Sequence, residues 1–209
     1  MLQQISQQLQ AGKAKIVKEL VRQAIEQGYT PQDILENGLL HGMGIIGEKF
    51  KKNEVFVPEV LVAARAMSQG TAVLKPLLVG ENIKPAGKAC IGTIKGDLHD
   101  IGKNLVKMMM ESKGFEVIDL GADVAPETFI ETATKENCQL ICISALLTTT
   151  MSGMEDVVKA AKAAGIHDKV KIMVGGAPLT SGFAEMIGAD AYTPDATTAA
   201  EVALEFCTK

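Results

Sequence analysis

A short polar loop near the middle of the chain carries the side chains with the clearest chemical potential. Its residues, in order, are Gly96, Asp97, Leu98, His99, Asp100, Ile101 and Gly102. His99 is one of only three histidines in the chain and follows Asp97 by two residues. An imidazole beside a carboxylate has the composition of a metal ligand whose second ring nitrogen is oriented by a hydrogen bond. The loop is therefore a candidate metal-ligand site.

The residues around the loop predict where it lies in a fold. An apolar, β-branched run precedes it at 90–94, and a helical pattern follows at 101–112. A strand, a loop and a helix in that order place the loop at the carboxyl end of a strand. Open parallel α/β sheets bind their ligands at that edge. The sequence thus predicts a ligand site at this loop.

The second half of the chain alternates short apolar runs with helical patterns. We predict strands at 88–94, 115–120, 139–144 and 170–174, buried on both faces, and a weaker fifth at 189–192. Helices are predicted at 101–112, 126–137, 151–164, 181–187 and 197–206. This pattern is typical of an α/β fold with a flavodoxin- or Rossmann-like, doubly wound parallel sheet of order 2-1-3-4-5.

That strand order brings two further polar segments to the same edge as His99. The third predicted strand ends at Ser144 and runs into hydroxyl-bearing residues that include Thr148 and Thr150. The fourth ends in the pair Gly175-Gly176. Hydroxyls bind a polar ligand without adding charge, and glycines let a group approach the backbone closely. We expect these loops to line one crevice.

The first part of the chain has a helical pattern instead. One predicted helix carries Ile16 and Val17 on its apolar stripe, and a later one carries Leu61 and Leu74. We predict a four-helix bundle over 1–78, a linker over 79–87 and the α/β domain over 88–209.

Composition narrows the class of protein. The 209 residues are 47% hydrophobic and carry a formal charge of −4, so a globular protein without a nucleic-acid footprint is expected. The four cysteines form no CxxC pair, which predicts reduced thiols. Without a signal-peptide pattern or a membrane-spanning apolar run, we expect a soluble, cytoplasmic protein that does not bind membranes.

Several ligand classes fit the loop poorly. It lacks the G-x-G-x-x-G spacing of dinucleotide sites, and the chain has no phosphate loop. A zinc site needs three or four protein ligands, whereas only carboxylates lie near His99 in sequence. One histidine suits a metal that brings its other ligands with it, as a macrocycle does.

These residues together resemble a known signature. The run 97–102, then Ser144 to Leu146, then Gly175-Gly176 is similar to the cobalamin-binding pattern D-x-H-x-x-G, S-x-L, G-G. The chain resembles the corrinoid proteins of anaerobic methyltransferase systems of the methanol, methylamine and methoxy-compound types. It is also similar to the cobalamin module of methionine synthase.

The resemblance implies a cofactor and a site. Cobalamin, cycling between Co(I) and methyl-Co(III), would bind with its lower base detached and with His99 as the lower cobalt ligand. Asp97 would hydrogen-bond the imidazole and pass protonation changes to Thr150, with Ser144 as the rival. Ser144 and Thr148 would contact the detached nucleotide tail. The remaining cofactor-binding positions implied are Gly96, Leu98, Asp100, Ile101, Gly102, Leu146, Gly175 and Gly176.

The resemblance also implies a role for the bundle and a function. The bundle would cover the methyl-bearing face, with Phe50 and Val57 in the matching positions, although the family more often has Leu where Val57 stands. The chain would carry a methyl group as one subunit of an enzyme system. Expected partners are a substrate-specific methyltransferase, a second methyltransferase acting on tetrahydrofolate or a thiol coenzyme, and a reductive activator. A cobalamin-dependent regulator and a mutase cobalamin subunit are the alternatives.

Overall fold

The computed structural model describes residues 1–78 and 85–208. The chain divides into two compact units, Met1–Lys84 and Pro85–Lys209. Residues 79–84 of the predicted linker and Lys209 of the predicted α/β domain lie outside the described residues. The exact domain limits therefore stay a prediction. Among the described residues, no helix combines the length and the apolar character needed to cross a bilayer.

The first unit is built from helices alone within its described part. Its helical segments are α1 (Leu2–Gln10), α2 (Ala14–Glu26), α3 (Pro31–Asp33), a π-helical segment (Ile34–Leu40), α4 (His41–Lys51) and α5 (Val57–Leu78). The Thr30 side chain accepts a hydrogen bond from the Asp33 backbone N–H and so caps α3, as a threonine before a first-turn proline predicts. Since α3, the π-helical segment and α4 are continuous, four long helices form the predicted bundle.

The π-helical segment was not predicted from the sequence. Gly38 of this segment and Gly42 of α4 lie close to α1: an added Cβ would lie 3.3 Å from Ile5 Cγ2 at Gly38 and 3.0 Å from Ser6 Cα at Gly42. Because Ser6 would be met at its backbone, a side chain at Gly42 would push the two helices apart. The wider π-helical turn is a rare local winding that apolar spacing does not reveal.

The buried stripes of the bundle are narrower than predicted. Val17, Val21 and Ala24 of α2 are fully buried, whereas Ile16 is 45% exposed and Leu61 of α5 is 42% exposed. The placement of Ile16 and Leu61 on buried faces was wrong. Consecutive helical residues point about 100° apart, so a neighbour of a buried residue can lie on the exposed flank.

The second unit alternates strands and helices. Its elements are β1 (Lys88–Ile94), α6 (Ile101–Ser112), β2 (Glu116–Val124), α7 (Pro126–Lys135), β3 (Leu140–Ser144), α8 (Ser152–Ala163), β4 (Lys171–Gly175), α9 (Ser181–Ile187), β5 (Ala191–Thr193) and α10 (Ala196–Thr208). The five strands form one parallel sheet of order β2-β1-β3-β4-β5. The predicted α/β class and strand order are confirmed.

Strand β2 departs from the prediction. It extends to Val124 and is partly exposed over most of its length, so its predicted burial on both faces was wrong. As an edge strand it has only β1 as a neighbour. Its register against β1 shifts twice, after the Ile91–Asp119 pair and again after the Gly92–Gly121 pair. Such bulges bend and twist a strand near its end.

A buried ion pair joins α6 to this edge strand. Lys103 is fully buried, and its Nζ lies 2.5 Å from Asp119 Oδ1 and 2.7 Å from Asn104 Oδ1. Burial alone would raise the pKa of Asp119, but hydrogen bonds from Lys103, the Gly121 N–H and Lys107 outweigh it and lower that pKa. The helix that follows the His99 loop is thus held against β2.

We predict that Asp119→Ala lowers the free energy of unfolding by about 3 kcal/mol, because the Lys103 ammonium group stays buried without its carboxylate. Urea unfolding at neutral pH measures this. Glu155→Ala is the matched control, since it removes an exposed pair with Lys159 at 2.9 Å and should cost less than about 1 kcal/mol. If both variants lost the same small amount of unfolding free energy, the buried pair would not be important for stability.

Candidate functional site

Three loops leave adjacent strands at the carboxyl edge of the sheet. Thr93 of β1 is in register with Ser144 of β3, and Ser144 is in register with Gly175 of β4. The loops that follow these strands therefore start side by side. This placement brings the His99 loop, the hydroxyl-rich segment and the glycine pair to one edge, as the strand order predicts.

The Asp97 carboxylate is the centre of this edge. Asp97 is 0% exposed, and its Oδ1 accepts hydrogen bonds from the His99 backbone N–H at 3.0 Å and from His99 Nδ1 at 2.7 Å. Its Oδ2 accepts from the backbone N–H groups of Leu146 at 2.7 Å and Leu147 at 3.0 Å. Thr150 Oγ1 lies 3.2 Å from the same Oδ2. One carboxylate thus joins the loops after β1 and β3.

These hydrogen bonds keep Asp97 ionised. Burial disfavours the charged form and would by itself raise the pKa of Asp97. The hydrogen bonds from His99, Leu147 and Leu146 favour the charged form and hold that pKa far below its usual range. Asp97 therefore acts as a fixed negative charge beside the imidazole.

The geometry leaves one ring nitrogen of His99 available. Because a carboxylate only accepts hydrogen bonds, we assign the proton of the neutral imidazole to Nδ1, which leaves the lone pair on Nε2. The His99 side chain is 52% exposed, and Thr93 Oγ1 donates to its carbonyl oxygen at 3.0 Å. The ring is thus fixed through Nδ1, while Nε2 is left available, which is the arrangement that a metal-binding histidine needs.

The structure distinguishes the two hydroxyls considered for contact with Asp97. Thr150 Oγ1 is near both Asp97 Oδ2 and, at 2.9 Å, the Leu147 carbonyl oxygen, and its single proton can be donated to only one of them. Within the described residues, Ser144 and Thr148 make no side-chain hydrogen bond. Thr150 is the hydroxyl that the fold brings to Asp97, and the other two are open to a ligand.

Exposed apolar side chains occur in the His99 loop and in the loop after β3. Leu98 is 75% exposed and Ile101 is 71% exposed, and Leu146 is also exposed. An added Cβ at Gly102, in the first turn of α6, would meet nothing within 4 Å, so nothing in the described chain fills the space beside it. Large apolar side chains exposed beside polar groups mark a ligand surface.

The glycine pair after β4 has a structural requirement of its own. Gly176 has a φ of +140°, and a Cβ there would lie 1.8 Å from the Ala145 carbonyl oxygen. A Cβ at Gly175 would make only ordinary contact, with the Thr193 carbonyl oxygen at 3.4 Å. Glycine at 176 is needed so that the loops after β3 and β4 can meet, whatever ligand binds beside them.

The remaining predicted positions are less constrained. Gly96 has a φ of +85°, and a Cβ there would lie 3.3 Å from Thr150 Cγ2. Asp100 is exposed at the start of α6 and accepts a hydrogen bond from Asn104 Nδ2 at 3.1 Å. Phe50 and Val57 are half-buried residues of the first unit, and their predicted contact with a cofactor stays a prediction.

Sequence reasoning missed two groups of this site. The Leu147 backbone N–H contacts Asp97 through a main-chain atom that every residue type carries, so no side-chain pattern reveals it. The fully buried Thr93 hydroxyl, which donates to the His99 carbonyl oxygen, lies inside an apolar strand. The one sequence feature that could have indicated its role is a single hydroxyl-bearing residue near the carboxyl end of an otherwise apolar strand.

Comparison with known proteins places the chain in a family. The family profile described as "B12 binding domain" matches residues 87–204, and a second profile with the same description matches residues 1–75. The chain belongs to the family of B12-binding corrinoid proteins. Its cofactor is cobalamin, as the signature predicts.

Relatives of this corrinoid protein match it over most of its length. Dimethylamine corrinoid protein 1 of Methanosarcina mazei is 42% identical over 98% of this chain and 95% of that protein. Trimethylamine corrinoid protein 1 of Methanosarcina acetivorans is 43% identical over 88% of this chain and 86% of that protein. Among solved structures, a chain in the crystal structure of the methanol:cobalamin methyltransferase complex from Methanosarcina barkeri superposes on this chain with a TM-score of 0.89 and 30% identity. The match covers 98% of this chain and 78% of that chain.

We predict that Asp97→Asn lowers the free energy of unfolding of the apoprotein by about 3 kcal/mol at neutral pH. An amide accepts on one side only, so donors now bound to one carboxylate oxygen would face an NH₂ group. Because the pKa of Asp97 is lowered in the fold, its stabilisation is present above the pKa of the unfolded chain, about 4, and is lost as pH falls further. The difference between wild type and variant should therefore shrink below about pH 4.

Urea unfolding across pH measures this difference. Asp100→Asn is the control in the same loop. Because Asp100 is exposed, this substitution should lower the free energy of unfolding by less than about 1 kcal/mol. A cost for Asp97→Asn no greater than that of the control would show that the Asp97 hydrogen bonds do not stabilise the fold.

Proposed function

We propose that this corrinoid protein is a methyl carrier and that His99 is the lower ligand of the cobalt. The observation that carries the proposal is an exposed imidazole whose Nδ1 is bound to a buried, ionised carboxylate and whose Nε2 is open. Among the described residues, no cluster of three or more metal-ligating side chains exists. A single protein ligand fits a metal that the corrin ring already binds.

Cobalamin, when bound, supplies a cobalt ion that accepts a methyl group and gives it up again. Asp97 keeps the proton of neutral His99 on Nδ1. Because its negative charge lies 2.7 Å from Nδ1, it also makes the Nε2 lone pair a stronger ligand for a metal. The Asp97–His99 pair would thus present Nε2 as the atom that binds the metal.

Other residues of the edge fit the rest of the cofactor. We propose that Leu98 and Ile101 pack on the corrin, since they present apolar surface beside the imidazole. The open hydroxyls of Ser144 and Thr148 are suited to hydrogen-bond the detached nucleotide tail. Phe50 and Val57 are proposed to contact the methyl-bearing face.

The relatives support a methylamine as the source of the methyl group. Proteins named for dimethylamine and trimethylamine are more than 40% identical to this chain, whereas the chain from the methanol system is 30% identical. We propose that one methyltransferase loads the methyl group, that a second passes it to tetrahydrofolate or a thiol coenzyme, and that a reductive activator restores inactive cobalt. The free, buried thiols of Cys90 and Cys142 are compatible with the predicted cytoplasmic location.

We predict that His99→Ala removes the absorption spectrum of histidine-ligated cobalamin. Wild-type protein loaded with methylcobalamin should show the form in which the cofactor's own base is detached and histidine is bound. The variant should show the form with neither base nor histidine, because no other described side chain in the loop offers a neutral nitrogen. His167→Ala is the control and should keep the wild-type spectrum. Identical spectra for wild type and His99→Ala would overturn His99 as the ligand.

A separate assay distinguishes a carrier from a cobalamin-dependent regulator. The chemically reduced holoprotein is mixed with a methylamine and its purified methyltransferase, and the absorbance change of cobalt methylation is followed. Methylation in repeated cycles after addition of a thiol acceptor and its methyltransferase supports the carrier. A holoprotein that no such pair of enzymes methylates and demethylates would contradict it.

A further inference from the structure

The carboxyl end of β2 holds the His99 loop through two hydrogen bonds to the main chain of the loop. The Gly96 N–H donates to Asp123 Oδ1 at 2.7 Å. The Asp123 N–H donates to the Asp97 carbonyl oxygen at 3.0 Å. Asp123 therefore contacts the main chain on both sides of the Cα of Asp97, 26 residues away in sequence. We refer to this pair of bonds as the Asp123 clamp.

The backbone of β2 is shaped to make the clamp. Asp123 has a φ of +57°, in the left-handed region, and Gly121 has a φ of +84°. The Gly121 N–H also donates to Asp119 Oδ1 at 2.9 Å, which ties the bend to the buried Lys103–Asp119 pair. Aspartate and asparagine enter the left-handed region more readily than most residues, at a modest cost that surrounding contacts must offset. The two register shifts of β2 bring this residue to the loop.

We propose that Asp123 is a positioning residue for the Asp97–His99 pair. Its two hydrogen bonds go to main-chain atoms of Gly96 and Asp97 and not to the imidazole, so it acts by fixing the main chain from which the Asp97 side chain projects. The clamp itself is independent of any ligand. Its importance for cobalt ligation rests on the proposed function of His99.

The loop needs such a restraint because it begins with a flexible residue. Gly96 has a φ of +85°, which glycine enters and leaves without steric cost. Apart from the clamp, the main chain at 96–97 is held by the Asp97 N–H, which donates to the Ile94 carbonyl oxygen at 3.1 Å. Rotation about Gly96 would turn the Asp97 side chain away from Leu146 and Leu147 and move the imidazole with it.

Two substitutions separate the hydrogen bond from the backbone conformation. Asp123→Asn keeps a side-chain acceptor and a residue that tolerates positive φ. Asp123→Gly removes the acceptor and avoids the strain that another residue would have at this φ, and it also gives the main chain at 123 more conformational freedom. Asn137→Gly is the matched control, because Asn137 has a φ of +54° at the end of α7.

The test is hydrogen exchange of the Gly96 amide and of the His99 Nδ1–H, both measured by NMR on the full-length apoprotein. Asp123→Gly should speed exchange at both groups by about tenfold, the effect of losing one hydrogen bond to a charged acceptor. Asp123→Asn should stay within about threefold of wild type. Asn137→Gly should leave both groups unchanged.

The outcomes are distinct from those of the cofactor experiments. Wild-type exchange at Gly96 in Asp123→Gly would show that the clamp does not hold the loop. Faster exchange at Gly96 with an unchanged His99 signal would show a local structural bond that does not position the pair. Either result overturns the proposal even where the holoprotein spectrum proves His99 to be the ligand. A wild-type holoprotein without histidine ligation would instead overturn the proposed function and leave the apoprotein result valid.

Discussion

The organisation of the site depends on burying one ionised carboxylate. Removing a carboxylate from water is strongly unfavourable unless hydrogen bonds replace those of the solvent. Asp97 meets this requirement with four N–H donors and the nearby Thr150 hydroxyl, which come from the loops after two adjacent strands. The parallel pairing of β1 and β3 makes this possible, because it starts both loops at the same level of the sheet. The conformation of each loop therefore depends on the other.

The division of donors between the two oxygens has a functional consequence. Oδ1 receives both groups of His99, and Oδ2 receives the groups of the β3 loop. The same carboxylate thus links the imidazole to the segment that contains Ser144 and Thr148. In the proposed function this segment binds the nucleotide tail. Ligation at the cobalt and binding of the tail would then be coupled through a single side chain.

The sequence predicted the parts of this site that depend on residue type and regular spacing. The short distance between Asp97 and His99, the strand order and the convergence of three loops all follow from such patterns. The choice between Thr150 and Ser144 needed the structure, because Ser144 ends β3 while Thr150 lies in the turn before α8, and only the path of that turn decides which hydroxyl faces Asp97.

Other features could not be read from side-chain patterns. The N–H groups of Leu146 and Leu147 are main-chain atoms, and the bulges of β2 depend on pairing with β1. Gly121 and Asp123 lie beyond the predicted end of β2, and the positive φ that each adopts there does not follow from the apolar pattern. The π-helical winding of Ile34–Leu40 is a local change of hydrogen bonding that the apolar spacing of a helix does not reveal.

The identity of the lower cobalt ligand is the claim on which the functional account depends most. Electron paramagnetic resonance of the protein loaded with cob(II)alamin measures it directly, because a coordinated nitrogen splits the cobalt lines. In protein labelled with nitrogen-15 only at histidine, the account predicts that the triplet splitting of unlabelled protein becomes a doublet. A triplet that survives the labelling would show that the cofactor's own base stays bound. Lines without nitrogen splitting would show that no histidine is a ligand, and either result would contradict the account.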